Sequence, residues 1–137
     1  WTRRTRIMAS ELRVNTLKDA SGNNSVATST VAEGSAKVHI RRDFNNDVTD
    51  KSFNISSITD LALGAQTMNI SSSMDSGNYS LVGMASRKAN SLDFHVVMVH
   101  DGQDPASSSY RLRVSNVSGS DKDAEFVSTS VFGDYAT

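Results

Sequence analysis

The sequence contains no cysteine, only one proline and no long apolar run. Without cysteine, the protein can form neither a disulfide nor a thiolate metal site, so its stability must come from packing and from assembly. No stretch approaches the roughly 18 apolar residues that a membrane-spanning helix requires. We therefore expect a noncovalently packed protein that does not insert into a membrane.

A charge excess of either sign is also missing. The 14 basic residues nearly balance the 15 acidic ones, which gives a net charge of −1. Proteins that bind nucleic acid usually carry a clear basic excess, and this chain has neither a phosphate-binding glycine loop nor a basic strip with interleaved aromatic residues. We expect no nucleic-acid partner and no cofactor.

The histidines do not indicate catalysis. His95 and His100 lie at opposite parity on one predicted strand, so their side chains point to opposite faces. Asp93 shares a face with His95, and the pair is typical of partly exposed polar residues. The G-x-S-x-G nucleophile motif is absent. The sequence predicts a protein that is not an enzyme.

One acidic segment begins like a calcium-binding loop. Asp43–Asp47 places oxygen-bearing side chains at alternate positions, as such loops do. However, the position that requires glycine holds Val48, and the position that requires a bidentate acid holds Asn54. The segment therefore predicts a solvated hairpin turn and no metal site.

Abundant Ser, Asn, Asp and Thr favour turns and strand faces over helices. Val38 and Ile40 are predicted to face inward, as are Phe53 and Ile55. Residues 34–137 are predicted to form an all-β domain, an antiparallel β-sandwich or small barrel of about seven strands. The expected strands are 37–41, 52–56, Thr67–Ile70, Tyr79–Ala85, Leu92–His100, Tyr110–Asn116 and Glu125–Phe132.

Two of these strands have the clearest patterns. Leu92–His100 is apolar on both faces in its middle and is expected at the centre of a sheet. In Tyr110–Asn116, the residues Tyr110, Leu112 and Val114 should face inward while Arg111 and Arg113 face outward.

Residues 1–33 differ from the rest and predict an extended N-terminal arm. Leu12 and Val14 alternate with polar residues, which suits a short strand, and Leu17 adds a third apolar side chain. An isolated strand cannot bury its apolar face alone, so we expect Leu12, Val14 and Leu17 to be assembly contacts. Thr30 and Glu33 form a capping-box pattern that predicts one helical turn ending near Ala36.

Four segments occur in an order and spacing that resembles a known family. They are LRVNTLKDASGNNS at Leu12–Ser25, GSAKV at Gly34–Val38, SFNISSITD at Ser52–Asp60 and NYSLVG at Asn78–Gly83. In this respect the chain is similar to the C-terminal module of tail-fibre and related virion structural proteins of marine and cyanobacterial phages. Met8 fits the initiator of such proteins. The region after Lys88 carries no such likeness.

The resemblance implies a location on the virion, a homotrimer and contacts with other virion proteins. In one interpretation, the domain ends a fibre and its loops contact a host surface glycan or protein. In the other, the chain is a capsid, connector or decoration protein that binds only other virion proteins. For surface recognition the candidates are Arg111, Arg113, Asp101, Gln103 and Asp104.

Overall fold

The computed structural model describes residues 13–23, 25–86, 95–99 and 102–137. The chain divides into two compact units, Trp1–Ala32 (the arm unit) and Glu33–Thr137 (the sandwich unit). The described residues contain ten strands, all in antiparallel sheets, and one short helix. The all-β prediction is therefore confirmed, whereas the expected number of about seven strands is wrong.

The arm unit contains a minimal two-stranded sheet. Strands β1 (Thr16–Leu17) and β2 (Val26–Ala27) pair in antiparallel register and are followed by helix α1 (Thr28–Gly34). The strand expected around Val14 thus forms two residues later. The helix starts before Thr30, at Thr28, whose backbone N–H donates to the carbonyl of Asn15 at 3.0 Å. It ends at Gly34, before the expected Ala36.

The sandwich unit consists of two four-stranded sheets. Sheet I has the strand order β4-β3-β10-β7 and sheet II the order β5-β6-β9-β8. The strands are β3 (Val38–Asp43), β4 (Val48–Phe53), β5 (Ile55–Ala62), β6 (Ala65–Ile70), β7 (Ser80–Ala85), β8 (His95–Val99), β9 (Ser109–Asn116) and β10 (Val127–Phe132).

Alternation along the strands explains most of the core, and loop residues such as Phe44, Met74 and Ala124 complete it. Val38 and Ile40 of β3 are buried while His39 and Arg41 are exposed, as predicted. On β9 the predicted inward residues are likewise buried. The core cluster comprises Val38, Ile40, Phe44, Met68, Ile70, Met74, Tyr110, Leu112, Val114, Ala124, Val127 and Val131.

Asn54 divides the segment that sequence patterning predicted as one strand. Its φ of 58° ends β4 in sheet I and starts β5 in sheet II. The left-handed conformation is held by the side chain, which accepts from the N–H of Ser72 at 2.7 Å and donates to the carbonyls of Ser72 and Lys37. Consequently Ile55 packs against the core, whereas Phe53 is 51% exposed, contrary to its predicted inward position.

The expected central strand lies at a sheet edge. β8 pairs only with β9 among the described strands, and its Val96 and Met98 are exposed. Leu92 to Phe94 and His100, which the prediction included, lie outside the described residues. Strand β8 is apolar on both faces, and one of these faces packs inward while the other is exposed.

The β5–β6 hairpin turns at Gly64. Gly64 has a φ of 69°, and a Cβ there would collide with the carbonyl of Val114 and the backbone of Lys122. Its N–H donates to Oδ1 of Asp123 at 2.7 Å, and its carbonyl accepts from the N–H of Val114 at 2.7 Å. These bonds tie the hairpin to β9 and to the loop that follows it.

Candidate interaction surfaces

The predicted assembly residues of the arm are uncovered. Val14 and Leu17 are 39% and 43% exposed, and Val31 of α1, which sequence reasoning did not single out, is 42% exposed. Leu12 lies outside the described residues. None of the described residues of the arm unit is buried, so its apolar side chains have no core of their own.

Arg111 and Arg113 share the outward face of β9, as predicted, but differ in their contacts. Arg113 forms an ion pair with Asp121, with Nε 2.6 Å from Oδ1. Arg111 donates instead from Nε to the hydroxyl of Thr67 at 3.3 Å. A carboxylate therefore already offsets the charge of Arg113, which leaves Arg111 as the better placed of the two for an anionic partner.

The predicted recognition loop is described only in part. Asp101 lies outside the described residues, whereas Gln103 and Asp104 are exposed. The Gln103 side chain donates from Nε2 to the carbonyl of Gly102 at 2.7 Å. The structure thus shows two solvent-facing polar side chains here.

The described histidines make structural contacts. The His39 ring stacks on the Phe53 ring with a centroid separation of 5.7 Å and an interplanar angle of 21°. The Nδ1 atom of His95 lies 2.8 Å from the carbonyl oxygen of Ser86. Asp93 and His100, which were considered with His95, lie outside the described residues.

The segment that begins like a calcium loop is a hairpin turn between β3 and β4. The carboxylate of Asp43 accepts from the backbone N–H and the side-chain amide of Asn46, at 2.9 and 2.7 Å. Asp47, with a φ of 57°, forms an ion pair with Arg42. No group of three or more metal-ligating side chains is present within the described ranges.

A buried guanidinium joins the two sheets, and sequence reasoning did not identify it. Arg42 on β3 is 6% exposed, and its Nε donates at 2.7 Å to Oε1 of Gln66 on β6. Its Nη1 donates to Thr49. Burial lowers the pKa of Arg42, an effect that the charges of Asp60 and Asp43 oppose. The sequence signal for the burial of Arg42 was its position, since it alternates in step with the inward-facing Val38 and Ile40.

A buried tyrosine, Tyr110, and a partly buried one, Tyr79, belong to the sandwich interior. The hydroxyls of Tyr110 and Thr129 hydrogen-bond at 3.0 Å, and that of Tyr79 donates to the carbonyls of Ala106 and Ser109. Burial raises the pKa of Tyr110 to about 12. It also raises the pKa of Tyr79 to about 12, with a smaller contribution from Tyr110.

The outward face of sheet I carries exposed apolar side chains on both of its edge strands. At one edge, Val82 and Met84 of β7 are 51% and 62% exposed. At the other, Phe53 stacks on His39. The segment Tyr79–Ala85 was recognised as a strand, but it is apolar at both parities, so alternation alone could not assign its faces.

A pair of serines lies beside the exposed residues of β7. Val82 is directly opposite Ser130 of β10, and Met84 is opposite Ser128. The small serine side chains leave a shallow trough of about 310 Å³ lined by both strands. The apolar pair on β7 therefore forms a ridge with the trough next to it.

Comparison with known protein families, with curated proteins and with solved structures gives no match to this chain. In the part of the chain that the structure describes, no helix is both long and apolar enough to cross a membrane.

Proposed function

We propose that this protein is a non-enzymatic structural component of a phage virion, a tail-fibre or appendage module that assembles as a homotrimer. Its surface then contacts neighbouring virion proteins and the host surface. The observation that carries this proposal is the amount of apolar surface left without cover. Val14 and Leu17 are exposed in the arm unit, and Val82 and Met84 in the sandwich unit.

Exposed apolar side chains that cluster on one face mark interaction sites rather than ordinary surface. The arm unit supports the same interpretation, because a two-stranded sheet with no buried residue is at best marginally stable by itself. Association with further chains supplies the buried area that such elements lack. The four sequence segments that resemble virion proteins give this assembly its proposed setting.

The competing function is that of a capsid, connector or decoration protein that binds only other virion proteins. Both functions require assembly, and they differ in whether the domain recognises a host. Arg111 is the feature that favours recognition, because its guanidinium is partly exposed and is bonded to a neutral hydroxyl rather than to a carboxylate.

A first experiment asks whether the protein is part of the particle. Virions of the phage that encodes the chain are purified and their proteins identified by mass spectrometry. We expect peptides of this chain at a constant ratio to the other structural proteins. Their absence from purified particles overturns the proposal.

A second experiment separates the two functions. The protein is labelled with a fluorophore and incubated with host cells and, separately, with virions that lack it. Saturable binding to cells supports host recognition if the affinity of the Arg111→Ala variant for the cells is lower by at least about tenfold. Binding to the deficient virions but not to cells supports the accessory function. Lys51→Ala, which removes an exposed positive charge from sheet I, is the control.

A further inference from the structure

The outward face of sheet II carries a set of short polar side chains around one arginine. Two rows of three paired residues cross β5, β6 and β9, with Thr59, Thr67 and Arg111 in the first row and Ser57, Asn69 and Ser109 in the second. On β6 and β9 these positions alternate with buried core residues. Neighbouring strands lie about 4.8 Å apart, so the six residues form a flat surface, the polar platform.

Hydrogen bonds within the polar platform hold its groups in place. Nε of Arg111 donates to Oγ1 of Thr67 at 3.3 Å, and Nδ2 of Asn69 donates to Oγ of Ser57 at 3.0 Å. None of the six residues is buried. A ligand would therefore meet polar groups that are accessible and already ordered, which lowers the entropic cost of binding.

The charge of the polar platform is of one sign. Arg111 is its single charged residue. Asp60, which follows Thr59 on β5, pairs with the buried Gln66, and its charge acts on Arg42. Nearby on β9, Arg113 is paired with Asp121. The platform thus presents a positive charge that no carboxylate of its own offsets.

The guanidinium of Arg111 keeps two donor groups for a ligand. Its Nε is bonded to Thr67, and neither Nη atom donates to any residue that the structure describes. Two parallel N–H groups of a guanidinium match the two oxygens of a carboxylate, and bonds of this kind are about twice as strong as those between neutral groups. The geometry therefore suits a carboxylate bound end-on by the two Nη atoms.

The remaining groups of the polar platform select among carboxylate-bearing partners. Cores of protein interfaces are enriched in aromatic and other large side chains, and the platform has none. Single-stranded nucleic acid requires aromatic stacking and several phosphate contacts, which one arginine does not supply. Hydroxyl and carboxamide groups both donate and accept hydrogen bonds, as the hydroxyls of a saccharide do.

We propose that the polar platform binds an acidic polysaccharide, with a uronic-acid carboxylate on the Nη atoms of Arg111 and sugar hydroxyls on its Ser, Thr and Asn side chains. This inference rests on the host recognition of the proposed function and deepens it by naming the surface and the ligand class. A homo-oligomer presents several platforms to one polymer, so contacts that are weak singly add up.

The test uses polygalacturonate and its carboxyl-reduced form, in which every carboxylate is replaced by a neutral hydroxymethyl group. Titration calorimetry should show that the wild type binds the first polymer and not the second. Arg111→Ala should lower the affinity at least about tenfold, as expected for a charged hydrogen bond. Arg111→Lys should also weaken binding, because an ammonium lacks the paired donors. Lys51→Ala, which removes an exposed charge from sheet I, should not.

A second pair of variants leaves Arg111 in place and serves if its substitutions impair folding. Ser57 on β5 and Ser52 on β4 are both exposed, so each tolerates a larger side chain. Ser57→Asp puts a carboxylate on the polar platform and should repel the polymer, with a loss of affinity of at least about tenfold. Ser52→Asp adds the same charge to sheet I and should bind like the wild type.

The outcomes separate this inference from the proposed function. A wild type that does not bind polygalacturonate overturns the ligand class, and so does equal binding of the carboxyl-reduced polymer or tighter binding of dextran sulfate. Unchanged affinity in Arg111→Ala and Ser57→Asp overturns the assignment of the surface. Membership of the virion and saturable binding to cells stand in each of these cases. Absence of the chain from purified particles, in contrast, overturns the proposed function whatever the polymer does.

Discussion

The guanidinium of Arg42 and the carboxamide of Gln66 form a 2.7 Å hydrogen bond between the two sheets of the sandwich. Arg42 is 6% exposed and Gln66 is 2% exposed. A buried hydrogen bond to a charged group stabilises a fold by about 1.5–3 kcal/mol, and loss of one partner leaves the other unsatisfied. The bond therefore fixes the relative position of β3 and β6 as well as stabilising them.

Gln66→Leu should lower the free energy of unfolding by about 2–3 kcal/mol, because the Nε–H group of the buried Arg42 loses its acceptor. Urea unfolding followed by circular dichroism measures the change. Gln103→Leu is the control, since Gln103 is exposed and surface substitutions usually change stability by less than about 0.5 kcal/mol. Equal stability of the two variants would refute a stabilising role for the Arg42–Gln66 bond.

Replacing Asn54 should lower the free energy of unfolding through two effects that can be measured separately. Asn54→Gly keeps access to the φ of 58° but loses the side-chain bonds to Ser72 and Lys37, so we expect a loss of about 1–3 kcal/mol. Asn54→Ala should lose about 1 kcal/mol more, because alanine is strained in the left-handed region. Thermal and urea unfolding give both values, and an alanine variant more stable than the glycine variant would contradict this account.

Gly83→Ala should destabilise the sandwich, because its added Cβ would lie 2.8 Å from Cγ2 of Thr129 and 3.3 Å from Cγ1 of Val97. Overpacking of this kind typically costs about 1–3 kcal/mol. Gly34→Ala is the control, since nothing lies within 4 Å of its Cβ position and alanine favours the helix. A shift in melting temperature of the same sign and size in both would exclude close packing at Gly83 as the cause.

Stability should fall steeply at alkaline pH. The pKa values of Tyr79 and Tyr110 are about 12 in the fold, above the ordinary value of 10.0. Their neutral hydroxyls therefore contribute stability that is present below pH 10 and is lost as pH rises from 10 towards 12. Tyr110 should add a slope of about 1.4 kcal/mol per pH unit in that window, and Tyr79, which is only partly buried and therefore better screened by solvent, should add a smaller one.

Denaturant unfolding across this pH range tests the alkaline prediction. Tyr110→Phe should remove the larger part of the slope and Tyr79→Phe the smaller part, although both lower stability at neutral pH by about 1 kcal/mol through lost hydrogen bonds. Phenolate absorbance provides an independent titration. Unchanged alkaline slopes in both phenylalanine variants would contradict the assignment.

Alternation predicted those parts of the fold in which each strand has one apolar face. Val38 and Ile40 are buried for this reason, and so are Tyr110, Leu112 and Val114. The fold class followed from these strands and their turns. Local patterning is sufficient in such segments because the period of two and the burial of one face agree.

The alternation pattern gave wrong predictions where hydrogen bonds between residues distant in sequence determine the backbone conformation or the burial of a side chain. The chain leaves sheet I at Asn54 because its side chain bonds Lys37 and Ser72, and neither partner is adjacent in sequence. Arg42 can be buried because Gln66 on another strand accepts from its Nε and Thr49 and Asp47 pair with the rest of its guanidinium.

The same distinction between local pattern and distant contacts applies to the candidate interaction surfaces. The outward position of Arg111 was predictable, whereas the ridge of Val82 and Met84 was not, since β7 is apolar at both parities and only the sheet order leaves it at an edge.

The mass of the wild-type protein in solution tests the central claim most directly. Light scattering at micromolar concentration should give three times the 14.8 kDa mass of one chain. A mass of one chain at micromolar concentration would contradict the homotrimer.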